Sequence, residues 1–296
     1  MLKNQRERDR MLPHSSTDVS GTLYIVATPI GNLDDLSKRA KETLEKVSFI
    51  AAEDTRHTKK LLNSYNIEAR LFSLHDHNEK DRAQYIAKLL DDGEDIALVS
   101  DAGTPLISDP GYHVVSHLRD LGYKVSPIPG PSAIITALCA AGLPTDKFFF
   151  QGFLPAKSKS RKDVMETWKQ QAGTTIFYES THRIKDSITD LMAVYDDEVE
   201  LVLARELTKT FETFLKGKPS YILQCFEDDA NQMRGEFVVM LDYRVLDNGD
   251  DKDQEARRIL EILLQDLPLK QASQLAAKIT GLKKNYLYQI ALDMQS

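Results

Sequence analysis

Glu53-Asp54-Thr55-Arg56 sets two carboxylates beside a hydroxyl and a guanidinium at the end of the apolar run VSFIAA, and His75-Asp76-His77-Asn78 follows a shorter run around Leu71. Groups of these types accept protons or grip anions, so the tetrad at 53–56 reads as a reactive or substrate-facing patch. Three Gly/Pro segments offer a different chemistry. Thr28-Pro29-Ile30-Gly31-Asn32 follows LYIVA, Asp101-Ala102-Gly103-Thr104-Pro105 follows IALVS, and Pro129-Gly130-Pro131-Ser132-Ala133 follows KVSPI. Turns of this composition expose backbone N–H and C=O groups without side chains in the way, and in an open parallel sheet ligands bind beyond the carboxyl ends of the strands. Together they predict a ligand cleft. None carries the G-x-G-x-x-G of a dinucleotide fold or the G-x-x-x-x-G-K-S/T of a P-loop, so neither NAD nor ATP is the expected ligand.

Holding three such turns at one edge requires a sheet whose strands run the same way. From Gly21 to about Gly142 strand-like runs alternate with helical periods, which predicts an α/β domain with a mainly parallel sheet over residues 21–145. The runs show little period-2 alternation, as expected for strands covered on both faces. FFFQGF, TIFYES, VELVLARE, a run near Tyr221 and GEFVVMLDY then predict strands of a second, α+β domain over 146–246, after a boundary near Leu143 to Lys147. Residues 1–20 read as a loose tail. Beyond an acidic linker, Asp247 to Asp253, three helical periods over 254–296 cover Gln254 to Leu264, Leu269 to Ile279 and Lys283 to Leu292. The last two have helix-turn-helix spacing, with Leu275, Ala276, Ile279, Leu282, Leu287 and Ile290 as the expected inner face. No basic recognition helix accompanies them, so packing or docking is their expected role.

The 296 residues are 42% apolar, enough for two ordinary cores, and the formal charge is −7. That balance argues against a generic nucleic-acid coat, although net charge is a poor guide where charge is unevenly placed. Residues 156–185 carry Lys157, Lys159, Arg161, Lys162, Lys169, Arg183 and Lys185 against Asp163, Glu166 and Glu179. A solvated helix face and a phosphate-contacting surface both fit this stretch. Cys139 and Cys225 lack metal or redox spacing, which points to a reducing cytoplasm. No run of about 18 uncharged apolar residues predicts a membrane span, and the polar N-terminus lacks the apolar segment of a signal peptide.

ATPIGNLDD, AAEDTRHTKKLL, SLHDHNE, ALVSDAGTPLISDPGY, IPGPSA, GFLP, YESTHRI, ARELTKTFE and GEFVV follow one another at spacings that resemble the bacterial small-subunit ribosomal RNA (cytidine-2′-O)-methyltransferases. Those enzymes have the tetrapyrrole-methylase, or class III, methyltransferase fold. The resemblance covers Gly21 to about Val245 and extends to the family's helix-turn-helix-like C-terminal piece. Thr181 departs from it, since the family usually has Pro in E-S-P-H-R; a looser turn and a less fixed Arg183 are expected there.

The resemblance implies S-adenosylmethionine bound in a cleft between the two domains, a cytidine of the 16S decoding region as acceptor, 16S rRNA or the 30S subunit as partner, and a homodimer. By carry-over, Thr28, Pro29, Ile30 and Gly31 border the methyl-transfer region, while Asp101, Ala102, Gly103, Pro105, Gly130, Pro131, Ser132 and Ala133 cradle the cofactor. Phe177, Tyr178, Gly235 and Glu236 line it from the second domain. Asp101 would serve equally as a turn cap. A ribose hydroxyl attacks poorly while it keeps its proton. Glu53, Asp54, His75 and Glu206 form the candidate catalytic set, with Asp76, His77 and Glu179 open beside them. Arg56, His77, Arg183, Arg205 and Lys209 are candidate RNA contacts, although structural salt bridges fit the arginines equally.

No metal is expected. His75-Asp76-His77 and the pair His113 and His117 gain no Cys ligand, H-E-x-x-H is absent, and alkyl transfer from a sulfonium needs no Lewis acid. Two other functions fit the fold: methylation of a tetrapyrrole or other small molecule, and a non-catalytic RNA-binding or ribosome-assembly module. The charged motifs suit a polyanion better than an apolar macrocycle, and the complete set of cleft loops favours an enzyme.

Overall fold

A computed structural model describes residues 20–171, 173–242 and 249–294. Residues 1–19 of the expected tail and 247–248 of the expected linker lie outside the described residues. The first half alternates as β1 (Thr22–Val26), α1 (Lys38–Lys46), β2 (Phe49–Ala52), α2 (Thr55–Ser64), β3 (Arg70–Ser73), α3 (Glu79–Asp91), β4 (Ile96–Val99), α4 (Tyr112–Asp120) and β5 (Lys124–Ile128). The strands form a parallel sheet of order β3-β2-β4-β1-β5.

Alternate residues of each strand serve two cores, which is why the runs are apolar throughout. Val26, Ile50, Ala97 and Val99 bury against Ala40 and Leu44 of α1 and Leu62 of α2. Leu23, Ala51, Ile96 and Leu98 bury against Ile86 and Leu90 of α3 and Val114 and Leu118 of α4. Each of the valine, leucine and isoleucine side chains among them contributes about 1.5–3 kcal/mol on full burial. Helix starts follow capping chemistry: the Ser37 hydroxyl accepts from the Ala40 N–H at 3.1 Å, and the Asp54 carboxylate accepts from the Arg56 N–H at 2.8 Å. The chain leaves β1 toward β2 and leaves β4 toward β5, in opposite directions along the sheet. These adjacent strands are therefore the switch point of the sheet, beyond whose carboxyl ends ligands bind in folds of this kind.

After β5 the chain departs through α5 (Ala133–Ala140), whose Ile134, Ala137 and Leu138 bury against Ile176, Val202, Val238 and Met240 of a second sheet. That sheet contains β6 (Phe148–Phe153), β7 (Thr174–Ser180), β8 (Glu200–Arg205), β9 (Thr213–Gly217) and β10 (Glu236–Asp242) in the order β6-β7-β10-β8-β9. The β6–β7 pairing is parallel and the others antiparallel. Helices α6 (Ser158–Thr167), α7 (Ile184–Tyr195) and α8 (Pro219–Asp228) complete this half. The expected domain boundary falls between α5 and β6, yet both sheets belong to one compact unit. Helix α5 belongs in sequence to the first and in packing to the second.

One expected strand is a helix. The run near Tyr221 lies in α8, where Pro219 presets the first turn and Ile222 and Phe226, four apart, are buried. The strand comes earlier, at Thr213–Gly217. In the C-terminal unit, α9 (Gly249–Leu264), α10 (Leu269–Thr280) and α11 (Lys284–Asp293) bury Ala256, Leu260, Ala272, Ala276, Leu287 and Ile290. Part of the expected acidic linker, from Gly249 onward, is thus helical. Leu275 and Ile279 are corrected too: they are 40% and 58% exposed, because the inner face of α10 runs through the small residues Ala272 and Ala276. Among the described residues no helix is long and apolar enough to cross a membrane.

Candidate active site

A cavity of about 380 Å³, in the range of small-molecule sites, lies between the carboxyl edge of the first sheet and the second sheet. From the first sheet it is lined by Ile30 after β1, Glu53 after β2, residues 101–104 and 107–109 after β4, and Ser132 and Ala133 at the start of α5. From the second come Phe153, residues 178–180, Leu207 and residues 236–238. The loops are fastened to one another. Thr28 and Gly103 exchange N–H to C=O hydrogen bonds of 2.9 and 3.1 Å, and the Thr104 hydroxyl donates to the Pro131 carbonyl at 3.0 Å. Gly31 sits where the halves meet: a Cβ there would lie 2.6 Å from Lys209 Cγ and 2.9 Å from the Leu207 carbonyl oxygen, so only glycine permits the approach.

The longest wall, the loop after β4, is strained. Leu106 and Ser108 hold φ of +72° and +68°, a conformation that costs side-chain-bearing residues about 1–3 kcal/mol. Its far end is fastened by Glu79, whose buried carboxylate accepts from the Gly111 N–H at 2.6 Å and the His113 N–H at 3.1 Å, at the start of α4.

The cavity is electrically negative. Burial, then the charges of Asp109 and Asp101, push the Glu53 carboxyl above its ordinary 4.5. Burial also raises Asp109, helped by the charge of Asp101 and opposed by a Ser100 hydrogen bond. Burial, reinforced by the charge of Asp109, lifts the Tyr178 phenol to about 12, so it stays protonated. The Tyr178 ring meets Phe150 and Phe153 edge-on at 4.9 and 5.5 Å, forming an aromatic wall.

Within the candidate catalytic set, Glu53 alone lines the cavity. Asp54 caps α2, and hydrogen bonds from Arg56, side chain first, hold its carboxyl at about 2, a poor proton acceptor. The carboxylate of Glu206 is engaged by Lys209 Nζ at 2.9 Å and the Glu236 N–H at 3.0 Å; burial would raise it, but these partners and the charges of Lys209 and Arg205 hold it below the ordinary range. His75, Asp76 and His77 are exposed and contribute nothing to the lining. Glu179 belongs to the wall, yet its buried carboxylate accepts from the Ser187 hydroxyl, the Ser180 N–H and Arg183.

Ile30, Asp101, Ala102, Gly103, Ser132, Ala133, Tyr178 and Glu236 of the candidate cofactor set reach the cavity. Thr28, Pro29, Gly31, Pro105, Gly130, Pro131 and Gly235 do not line it; Thr28 and Pro131 act behind the wall through the bonds that tie the loops. Phe177 is a correction: at 0% exposure it stacks on Trp168 at 5.6 Å, because adjacent residues of a strand point to opposite faces and Tyr178 takes the cavity side.

Arg205 is likewise corrected as an RNA contact. It is 9% exposed, and its guanidinium donates to the carbonyls of Arg234 and Phe211 and to the Thr213 hydroxyl. Arg183 pairs with Glu179 at 2.9 Å and donates to the Leu154 carbonyl at 3.0 Å, next to Phe153. Lys209 bridges Glu206 and Glu236. Arg56 and His77 remain on the surface. Sequence reasoning missed Ile107, Ser108, Asp109, Phe153, Ser180, Leu207, Phe237 and Val238; the Pro110-Gly111 that closes the second loop was the available sign that the loop extends beyond Pro105. Among the described residues no cluster of three or more His, Cys, Asp or Glu could hold a metal ion.

The family profile of the tetrapyrrole (corrin/porphyrin) methylases matches residues 22–220, and that of the RsmI C-terminal HTH domain matches residues 250–295. The chain is 52% identical over 286 residues to ribosomal RNA small subunit methyltransferase I of Escherichia coli O157:H7, spanning 96% of this chain and 100% of that one. It is 54% identical over 274 residues to the protein of that name in Vibrio cholerae, spanning 92% and 94%. Similar solved structures include diphthine synthase, with a TM-score of 0.57 at 12% identity over 75% of this chain and 90% of that one. Another is uroporphyrin-III-C-methyltransferase from Thermus thermophilus, with a TM-score of 0.53 at 16% identity over 75% and 94%. At such identities the likeness concerns the fold alone. With the methylase profile over most of its length and half its residues shared nearly end to end with these relatives, the chain belongs to the ribosomal RNA small subunit methyltransferase I family of the tetrapyrrole (corrin/porphyrin) methylases.

Proposed function

We propose that this chain transfers a methyl group from S-adenosylmethionine to the ribose 2′-hydroxyl of a cytidine in the decoding region of 16S ribosomal RNA. The observation that carries the reading is the near end-to-end match, at about half identity, to relatives named ribosomal RNA small subunit methyltransferase I. S-adenosylmethionine, the methyl donor of the family, supplies an electrophilic methyl on a cationic sulfonium when bound. The lining fits that ligand. The volume is adequate, Gly103 at φ +80° leaves backbone open, and Glu53, Asp101 and Asp109 supply negative charge for a cation. Residues 101–104 with Ser132 and Ala133 would hold it, and Ile107, Phe153 and Tyr178 would keep water out.

Glu53 receives the proton that the hydroxyl loses. Its position at the end of β2 puts a carboxylate in the cavity wall, and its raised pKa makes it a better base than an ordinary glutamate. The reading includes a homodimer and a cytoplasmic setting. β6 is an edge strand on which Phe148 and Phe149 are exposed, a surface suited to a second copy, and both cysteines are free thiols, which suits a reducing compartment.

Transfer of tritiated methyl to naked 16S RNA, to 30S subunits and to a uroporphyrinogen tests this. Label recovered as 2′-O-methylcytidine is the expected result. Label in the macrocycle would turn the reading to the small-molecule alternative, and cofactor binding with no labelled acceptor would turn it to a non-catalytic module.

A further inference from the structure

Building on the RNA-methyltransferase reading, we infer that the exposed face of α2 is the track on which the RNA strand docks beside the cavity, with Arg56, Lys59, Lys60 and Asn63 contacting its phosphates. These four positions fall at i, i+3, i+4 and i+7, one face of a helix, and all are exposed while Thr58 and Leu62 are buried. The strip spans about 10 Å.

Its charge pattern is not that of an ordinary solvated helix. Helix α1 pairs its cations along its own length, Lys38 with Glu42 at 3.7 Å and Lys41 with Glu45 at 3.8 Å. The sequence of α2, TRHTKKLLNS, contains no acidic residue, and among the described residues Lys59 and Lys60 have no ion-pair partner. Arg56 and Lys60 stand four apart, a like-charge spacing that works against a helix, and a polyanion laid along the strip relieves it. The one pairing present orients Arg56. Asp54 takes the Nε and Nη2 donors at 3.2 and 2.9 Å, and of the five donors of a guanidinium three remain, on a side chain that is 87% exposed.

Position connects the strip to the chemistry. Helix α2 begins two residues after Glu53, and the Asp54 N–H donates to Asp101 Oδ1 at 3.1 Å, so its first turn is fastened to the cavity's own loop. The Leu74 N–H donates to the Ala52 carbonyl at 2.8 Å, which brings the loop carrying exposed His77 to the same rim. In the competing basic stretch, 156–185, both arginines and Lys185 are engaged within the protein: Arg161 pairs with Asp190, Arg183 with Glu179 and Lys185 with Glu227, while exposed Lys157 and Lys159 supply the comparison. A chain of net charge −7 that holds a polyanion needs such a local concentration of cations.

The test compares the full chain with Lys59→Ala/Lys60→Ala and, as a control, Lys157→Ala/Lys159→Ala at the start of α6. Cofactor affinity and the salt dependence of affinity are read on a 16S transcript and on 30S subunits, using whichever the unmodified chain methylates. The α2 pair should weaken RNA binding on the order of tenfold and flatten the slope of log K against log salt by about 1.4, with cofactor affinity unchanged. Alanine favours helix, so folding is retained. An unchanged slope in the α2 pair, or an equal loss in the α6 pair, overturns the assignment while the methyltransferase reading stands. Failure of the unmodified chain to bind or methylate either RNA overturns both.

Discussion

Thr181 and Gly235 close on each other from both sides: the Thr181 hydroxyl donates to the Gly235 carbonyl at 2.7 Å and accepts from the Gly235 N–H at 2.9 Å. Gly235 has φ of +106°, and a Cβ there would lie 2.5 Å from Glu206 Oε1, so the contact depends on glycine as well as on the hydroxyl. The pair ties the turn after β7 to the start of β10, where Glu236, Phe237 and Val238 line the cavity. A looser turn was the expectation for threonine at this position. Two hydrogen bonds supply the restraint that a proline ring would have provided, and Arg183 is held by Glu179 and Leu154.

Thr181→Val removes both bonds and leaves the Gly235 groups unmatched, at a cost of about 1–3 kcal/mol. Urea denaturation should show that loss and methyl-transfer kinetics a higher KM for the cofactor, whereas Thr181→Ser should retain most of both. A valine variant as stable as the parent would remove the hydroxyl from this role.

Glu53→Gln should lower kcat by about 10²-fold or more through loss of the proton acceptor. It should also change the pH dependence of stability. The native carboxyl titrates above its ordinary 4.5, so in that window the folded chain binds more protons than the unfolded one and stability falls as pH rises. Denaturation at pH 4 and pH 7 should therefore show the glutamine variant gaining on the parent at the higher pH. An unchanged kcat would exclude Glu53 as the acceptor.

Arg205→Ala should lower stability by about 1–3 kcal/mol, because two main-chain carbonyls and a hydroxyl lose their donor, and leave the salt slope of RNA binding unchanged. A flatter slope with unaltered melting would restore Arg205 to the RNA surface.

Arg183→Ala should act on the cofactor side. It strips a cation from the buried Glu179 carboxylate and frees the Leu154 carbonyl next to Phe153, so calorimetric cofactor affinity should drop. Titration with RNA in the same variant should give the parental salt slope, and the reverse pattern would contradict this placement.

Glu79→Ala releases the N–H groups of Gly111 and His113 and with them the strained loop that carries Asp109. Hydrogen exchange should become faster over residues 101–111 and cofactor affinity should fall. Parental exchange in that loop would show that the strain is held by other contacts.

Sequence periodicity was sufficient for the first sheet because its strands are buried on both faces; continuous apolar runs such as IALV then have few other uses, and the Gly/Pro turns mark their carboxyl ends. It failed near Tyr221, where a short apolar run is compatible with either a strand or an amphipathic helix turn, and at Leu275 and Ile279, where size was a poorer guide to the inner face than the close approach that Ala272 and Ala276 permit. By itself the sequence determined which groups the chain could bring to a reaction: the family motifs, a cleft edge, and a stock of carboxylates and guanidinium groups. Tertiary structure decided what each of them meets. Glu53 and Asp54 are adjacent in the chain, yet one is raised by burial and two neighbouring aspartates while the other is held near 2 by Arg56. Arg56 and Arg205 have the same side chain, but one stands on a helix surface and the other donates to a carbonyl 29 residues away. Charge and hydrogen-bonding capacity are properties of a residue type, whereas burial and the identity of the partner exist only once distant segments have packed.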